Sequence, residues 1–223
     1  GAVDMQGWLD AVPAVLQAWY AGQEGGTALA EILFGAVNPS GRLPATFEKR
    51  WEDNPTYASY YPAAGSDDVI YEEGVFVGYR GYENKKTRPL FPFGHGLSYT
   101  SFKFHDLKVQ SRAASANVLF DVSFNVTNTG DRAGAAVPQV YVADTHSRVP
   151  RPPKELKGFA KVMLQPGESR TVTIPLDARA FAYYDTKSRK WRADAGTYGV
   201  LVGSSSERIE LTGEARLRRS LAP

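Results

Sequence analysis

From residue 101 to residue 218 the chain repeats one pattern: short apolar runs separated by turn residues. The clearest run is Val118, Phe120, Val122, Phe124 and Val126, with an apolar side chain at every second position. That period puts one face of a strand on a core and the other toward water. Asn128-Thr129-Gly130-Asp131 and Pro166-Gly167-Glu168 supply turns. Further strand-like runs cover Phe102–Val109, Val137–Val142, Glu155–Leu164, Arg170–Leu176, Ala180–Asp185, Lys190–Ala193, Gly196–Val202 and Ile209–Leu217. So many short strands at this spacing predict an all-β, immunoglobulin-like sandwich over residues 101–223.

Residues 1–50 have another character and predict the end of an α/β layer. Val12–Tyr20 is short and apolar and breaks before Gly22, which predicts a buried strand. Helical periodicity is the alternative there, but Pro13 and the aromatic end favour a strand. Gly26–Phe34 places Leu29, Ile32 and Leu33 on one helical face, and Gly35 is a stop signal. Arg42–Phe47 is expected to be extended, with Pro44 suited to a sheet edge. Residues 51–100 are a long connector with Pro55, Pro62, Pro89 and Pro92 and many tyrosines. Within it, Val69–Tyr82 alternates well enough for a strand or hairpin. Too few aliphatic residues accompany the rings to make a core, so the connector is expected to lie across another surface and pack by its aromatics. Arg80 is expected to pair with a carboxylate across that contact.

Composition narrows the function classes. The net charge of +2 gives no electrostatic case for nucleic acid or an anionic membrane. No run approaches about 18 apolar residues, the length that a spanning helix needs. Cysteine is absent, which excludes disulfides, thiolate metal sites and a thiol nucleophile. Gly1-Ala2-Val3-Asp4 carries neither the charged start nor the apolar stretch of a signal peptide. The N-terminus reads as truncated or processed, and a periplasmic or secreted setting is favoured.

Three blocks carry a family resemblance. The first runs from Trp19-Tyr20-Ala21-Gly22-Gln23-Glu24-Gly25-Gly26 through Leu33-Phe34-Gly35 to Asn38-Pro39-Ser40-Gly41-Arg42-Leu43-Pro44. The second is Tyr71-Glu72-Glu73-Gly74-Val75-Phe76-Val77-Gly78-Tyr79-Arg80, then Pro89-Leu90-Phe91-Pro92-Phe93-Gly94-His95-Gly96-Leu97-Ser98-Tyr99-Thr100. The third is Val126-Thr127-Asn128-Thr129-Gly130 to Ala135, Val140-Tyr141-Val142 and Pro153-Lys154-Glu155-Leu156-Lys157-Gly158-Phe159. In this order they resemble the C-terminal portion of glycoside hydrolase family 3, including its fibronectin type III-like domain. Ala21 departs from the family's usual proline.

The resemblance implies a retaining, exo-acting β-glycosidase, most simply a β-glucosidase, that needs no cofactor and no metal. It also implies partners for this chain: a TIM-type barrel and the rest of the α/β region, which hold the nucleophile and the acid/base. No catalytic residue is therefore transferred to this chain, and its substrate-binding residues are left unassigned. The rival reading is a non-catalytic β-sandwich module that binds carbohydrate or protein.

Several residues invite a role and are weighed against plainer ones. Glu24, Glu72 and Glu73 are carboxylates of the acid/base type. Glu24 precedes a helix start, where a negative charge suits the dipole. His95, His105 and His146 lack metal-ligand spacing. The Gly22–Gly26 stretch lacks the Lys-Ser/Thr of a phosphate loop. Asn125-Val126-Thr127 is a sequon placed mid-strand. Tyr183, Tyr184 and Trp191 could stack on a sugar, although packing is the commoner fate of such rings.

Overall fold

The computed structural model describes residues 2–112 and 118–223. Two α-helices, α1 (Gly25–Leu33) and α2 (Tyr79–Lys85), precede eleven strands. These are β1 (Phe102–Ser111), β2 (Phe120–Asn128), β3 (Gly134–Ala136), β4 (Gln139–Ala143), β5 (Glu155–Phe159) and β6 (Val162–Leu164), then β7 (Ser169–Leu176), β8 (Tyr183–Asp185), β9 (Lys190–Arg192), β10 (Gly196–Gly203) and β11 (Ile209–Leu217). One sheet has the order β1-β2-β7, the other β11-β10-β4-β5, and all their pairings are antiparallel. The ribbons β3-β6 and β8-β9 complete the set.

The alternation in β2 explains the core. Phe120, Val122, Phe124, Val126 and Asn128 all point inward and are buried, while the residues between them are half-buried. They meet Ile174 and Leu176 of β7 and, from the facing sheet, Val140, Val142, Val200 and Val202. Each such side chain contributes roughly 1.5–3 kcal/mol by leaving water. Phe181 closes one end, edge-on to both Phe120 and Tyr198.

Asn128 is a polar group in an apolar row, so it must be satisfied. Its Nδ2 donates to the carbonyls of Arg132 (2.7 Å) and Leu164 (3.1 Å). Its Oδ1 accepts from Thr100 Oγ1 and the Gly130 amide. The expected turn after it is present, with Asn128 as the buried pin that shapes it.

Elsewhere the expectations need correction. Val12–Tyr20 is extended over part of its length but pairs with no described strand, and its apolar residues are exposed. Strand formation needs a neighbour to pair with, and Trp19 at φ 53° ends the extended run. Val69–Tyr82 is not a hairpin. It makes a turn at Tyr71–Gly74, then Gly78 at φ 57° leads into α2. Glu155–Leu164 is two strands, β5 and β6, which join different sheets. Ala180–Asp185 begins as a 3-10 turn whose amide at Ala180 is capped by the Asp177 carboxylate (3.0 Å). The helix fits its expectation, and Gly35 past its end adopts φ 79°.

Candidate functional site

Two surfaces of the N-terminal hundred residues stand out, one open to water and one seated on the sandwich. The first is apolar. Arg42–Phe47 lies antiparallel to Leu90–His95, joined by Leu43 N to His95 O, Gly94 N to Leu43 O and Phe47 N to Phe91 O, each 2.8 Å. Phe47, fully buried, meets Trp19 and Phe91 edge-on. Outside this small nucleus the rings are open. Tyr20 is 95% exposed and Phe34 90%. Leu33, Ile70 and Tyr71 are also well exposed, and Trp51, Tyr57, Tyr60 and Tyr61 touch mainly one another, edge to face. A folded monomer rarely leaves this much apolar area in water.

The second surface is the connector's seat on the sandwich. Tyr79, at the start of α2, stacks on Phe93 (ring centroids 4.9 Å) and meets Tyr141 of β4 edge-on. Its hydroxyl accepts from the Leu156 amide at 2.8 Å. Glu83, also on α2, holds the Lys154 ammonium. Gln139 Nε2 donates to the carbonyls of Gly94 and Ser204, and its Oε1 accepts from the Tyr141 hydroxyl. Asn38 ties a third segment in: Nδ2 donates to Ala133 O, and Oδ1 accepts from Ser98 Oγ and the Tyr99 amide. The aromatic connector thus packs by its rings on another surface. Burial pushes the Tyr79 and Tyr82 hydroxyls above their ordinary range.

Beside this seat runs a groove of about 950 Å³, walled by Val75 and Arg80 from the connector and by the 149–157 and 175–191 stretches of the sandwich. Charge gathers on its floor. Arg151, side chain 5% exposed, bonds Asp144 (3.3 Å), Glu155 (2.7 Å) and the carbonyls of Phe181 and Ala182. The same Glu155 carboxylate also faces Arg80 at 3.4 Å and Lys157 at 3.5 Å. Burial alone would push Glu155 up, but Arg151, with Lys157 and Arg80, holds it below the usual carboxylate range. Burial pushes the Lys157 ammonium down, and the neighbouring arginines add to that.

The carboxylates weighed from sequence are dispersed. Glu24 is the N-cap residue of α1 and accepts from Thr27 Oγ1 at 3.2 Å. Glu72 is exposed in a turn, and Glu73 accepts from Ser59 Oγ at 3.4 Å. His95 stacks on Phe91, and burial lowers its pKa, with the nearby Arg42 acting the same way. His105 sits at a bulge in β1 between Asp106 and Thr127, and His146 bonds Thr145. Among the described residues no three His, Asp or Glu side chains gather as a metal site would require. Gly22–Gly26 is a tight turn into α1, closed by Gly25 N to Gly22 O. Asn125 spends its amide on Asp106 and Thr171, within the sheet face.

Tyr184 and Trp191 are cross-strand partners that meet edge to face at 5.6 Å. The Arg179 guanidinium lies 3.4 Å over the Trp191 ring, and Tyr183 donates to Asp194. A stacking platform for a neutral sugar needs an open ring face, and one face of Trp191 is taken. Sequence reading missed the charged groove. Its one signal was Arg80, an arginine inside an aromatic block, whose expected carboxylate is Glu155.

Known proteins share this fold over the whole chain. The family described as "Glycosyl hydrolase family 3 C-terminal domain" matches residues 1–99, and a "Fibronectin type III-like domain" matches residues 136–206. Thermostable beta-glucosidase B of Acetivibrio thermocellus is 49% identical over 96% of this chain, and probable beta-glucosidase K of Emericella nidulans 47% identical over 97%. The chain spans 28% and 25% of those proteins' lengths. The crystal structure of a beta-glucosidase from Kluyveromyces marxianus in complex with glucose superposes with a TM-score of 0.90 at 41% identity, covering 100% of this chain and 26% of that one. Beta-glucosidase 3B from Thermotoga neapolitana gives 0.89 at 37% identity, covering 99% of this chain and 30% of that one.

Proposed function

We propose, because the chain belongs to glycoside hydrolase family 3, whose C-terminal portion it matches, that it serves as the C-terminal part of a retaining, exo-acting β-glucosidase. The observation that carries this reading is the superposition of the entire chain on about a quarter of a whole β-glucosidase. The intact enzyme would release terminal β-linked glucose with a carboxylate nucleophile and a carboxyl acid/base, about 5–5.5 Å apart as retention requires. Both belong to the barrel and α/β region that precede this portion. The share of the chain in that enzyme is structural. Residues 1–50 complete the α/β layer, 51–100 connect, and 101–223 form the sandwich that braces the connector.

The open apolar surface supports this assignment. Val12, Leu16, Trp19, Tyr20, Leu33 and Phe34 are the residues that a neighbouring α/β layer would cover. Glu24 and Glu73 have plainer roles as acceptors for Thr27 and Ser59, and Glu72 is exposed in a turn. The test compares the isolated chain with the full-length gene product on an aryl β-glucoside. Turnover is expected from the full-length protein alone. Comparable turnover from the isolated chain would overturn the structural role, and a full-length protein inactive on β-glucosides would overturn the assignment.

A further inference from the structure

The groove between the connector and the sandwich is not accounted for by bracing alone. A brace needs its charges matched. Here one carboxylate, Glu155, serves three cations at once, Arg151, Arg80 and Lys157. Arg151 is fully occupied, with a second carboxylate in Asp144 and two carbonyls besides. Arg80 and Lys157 have no other carboxylate among the described residues. Lys157 is mostly buried, its side chain 16% exposed, so solvent does little to offset the excess. Arg179 adds a fourth cation to the wall, beside Asp177, whose carboxylate keeps its negative charge while one oxygen caps the Ala180 amide, so the excess lies with Arg80 and Lys157.

We infer that this groove binds the carboxylate of a small organic acid, met by Arg80 and Lys157, and that a hexuronate is the class that suits it. The cations call for a carboxylate, which accepts charge-assisted bonds from a guanidinium and an ammonium together. The walls call for more than a bare ion. Val75, Pro150, Pro152 and Tyr184 give them apolar and ring surface, and a volume of about 950 Å³ holds a sugar-sized body. Recognition here is by charge. The Trp191 face that could have stacked on a neutral sugar lies under Arg179. This inference does not depend on the glycosidase reading, because it concerns residues that reading leaves without chemistry.

The test is a titration of the isotopically labelled 223-residue chain with sodium glucuronate, followed by NMR. Saturable shifts are expected for the amides of residues 79–81 and 151–157, weakening as salt is added, with glucose at equal concentration leaving them in place. Acetate should shift the same signals but bind more weakly. Arg80→Gln and Lys157→Gln should each weaken glucuronate binding by about tenfold or more, whereas Lys157→Arg, which keeps the charge, should retain it. Absence of saturable shifts, or equal shifts with glucose, would overturn the inference. So would glucuronate affinity unchanged in a folded Arg80→Gln, Lys157→Gln double variant. Repeating the titration on the full-length protein identifies the source of the carboxylate. Retained binding means a free acid. Loss of binding there, with binding in the isolated chain, would overturn the inference, because an acidic side chain of the preceding region then fills the site in place of a free acid.

Discussion

The seat of the connector on the sandwich predicts that the two unfold together, and Tyr79 is where this can be tested. Two substitutions separate its contributions. Tyr79→Phe keeps the ring against Phe93 and Tyr141 but leaves the Leu156 amide without its acceptor. An amide in a partly buried site that loses its partner costs about 1–2 kcal/mol. Tyr79→Ala also removes the ring. A fully buried aromatic truncated to alanine costs about 3–5 kcal/mol, and Tyr79 is only half-buried, so about 3 kcal/mol in all is expected. For a chain of this size each kcal/mol lowers Tm by roughly 2–4 °C. The expected falls are therefore about 2–8 °C for the phenylalanine variant and 6–12 °C for the alanine variant. Hydrogen exchange on the isolated chain gives the decisive reading. If connector and sandwich are one cooperative unit, the Leu156 amide and the Val122 amide in the core of β2 open in the same event. Tyr79→Ala would then lower protection at both. A variant in which Leu156 exchanges freely while Val122 keeps its wild-type protection would refute the reasoning and reduce the connector to a tether.

Two further predictions concern backbone space and alkaline pH. A Cβ on Gly81 in α2 would stand 2.2 Å from the Phe76 carbonyl oxygen and 2.6 Å from the Pro55 ring. Gly81→Ala should thus destabilise by roughly 1–3 kcal/mol, despite alanine's better helix propensity, and a variant as stable as wild type in urea would show that the turn before α2 yields freely. Burial raises the hydroxyls of Tyr79, Tyr82, Tyr141 and Tyr198 above the ordinary value of 10.0, that of Tyr198 to about 12. Such groups bind their protons more tightly when folded, so their contribution is complete below pH 10 and is lost as pH rises through the folded values. Stability measured by denaturant should hold up to about pH 10 and then fall, with tyrosinate absorbance appearing alongside unfolding. Ionisation of all tyrosines near pH 10 in a fully folded chain would contradict this.

Much of the sandwich is legible in the sequence because its strands are half-buried, and half-burial writes a period of two. Phe120 to Val126 show it directly. The helix at Gly25–Leu33 is legible for the corresponding reason, with a glycine stop that the backbone uses. What misleads is local composition without a partner. Val12–Tyr20 has a strand's residues, but pairing is a property of neighbours, and the described chain offers it none. Val69–Tyr82 alternates up to Gly78, and the positive φ that redirects the chain there into α2 leaves no trace beyond the glycine itself. Glu155–Leu164 looks continuous because the step from one sheet to another at Ala160-Lys161 costs no recognisable turn residue. The groove was the least legible part. Arg80 and Glu155 stand 75 positions apart, and only the docking of α2 on β5 brings them together.

The way Asn38, Tyr79 and Gln139 fasten three distant segments also governs how the molecule can be recombined. A chimera built by exchanging sandwiches between related proteins would naturally be cut where β1 begins, at Phe102. Such a cut parts Tyr79 from Tyr141 and Leu156, Gly94 from Gln139, and Asn38 from Ala133. The transplanted piece would arrive with polar sockets and ring faces shaped for another protein's connector. The portable module therefore starts upstream of α2 and carries the 79–99 stretch with it, while a matched residue at position 38 must be supplied by the recipient.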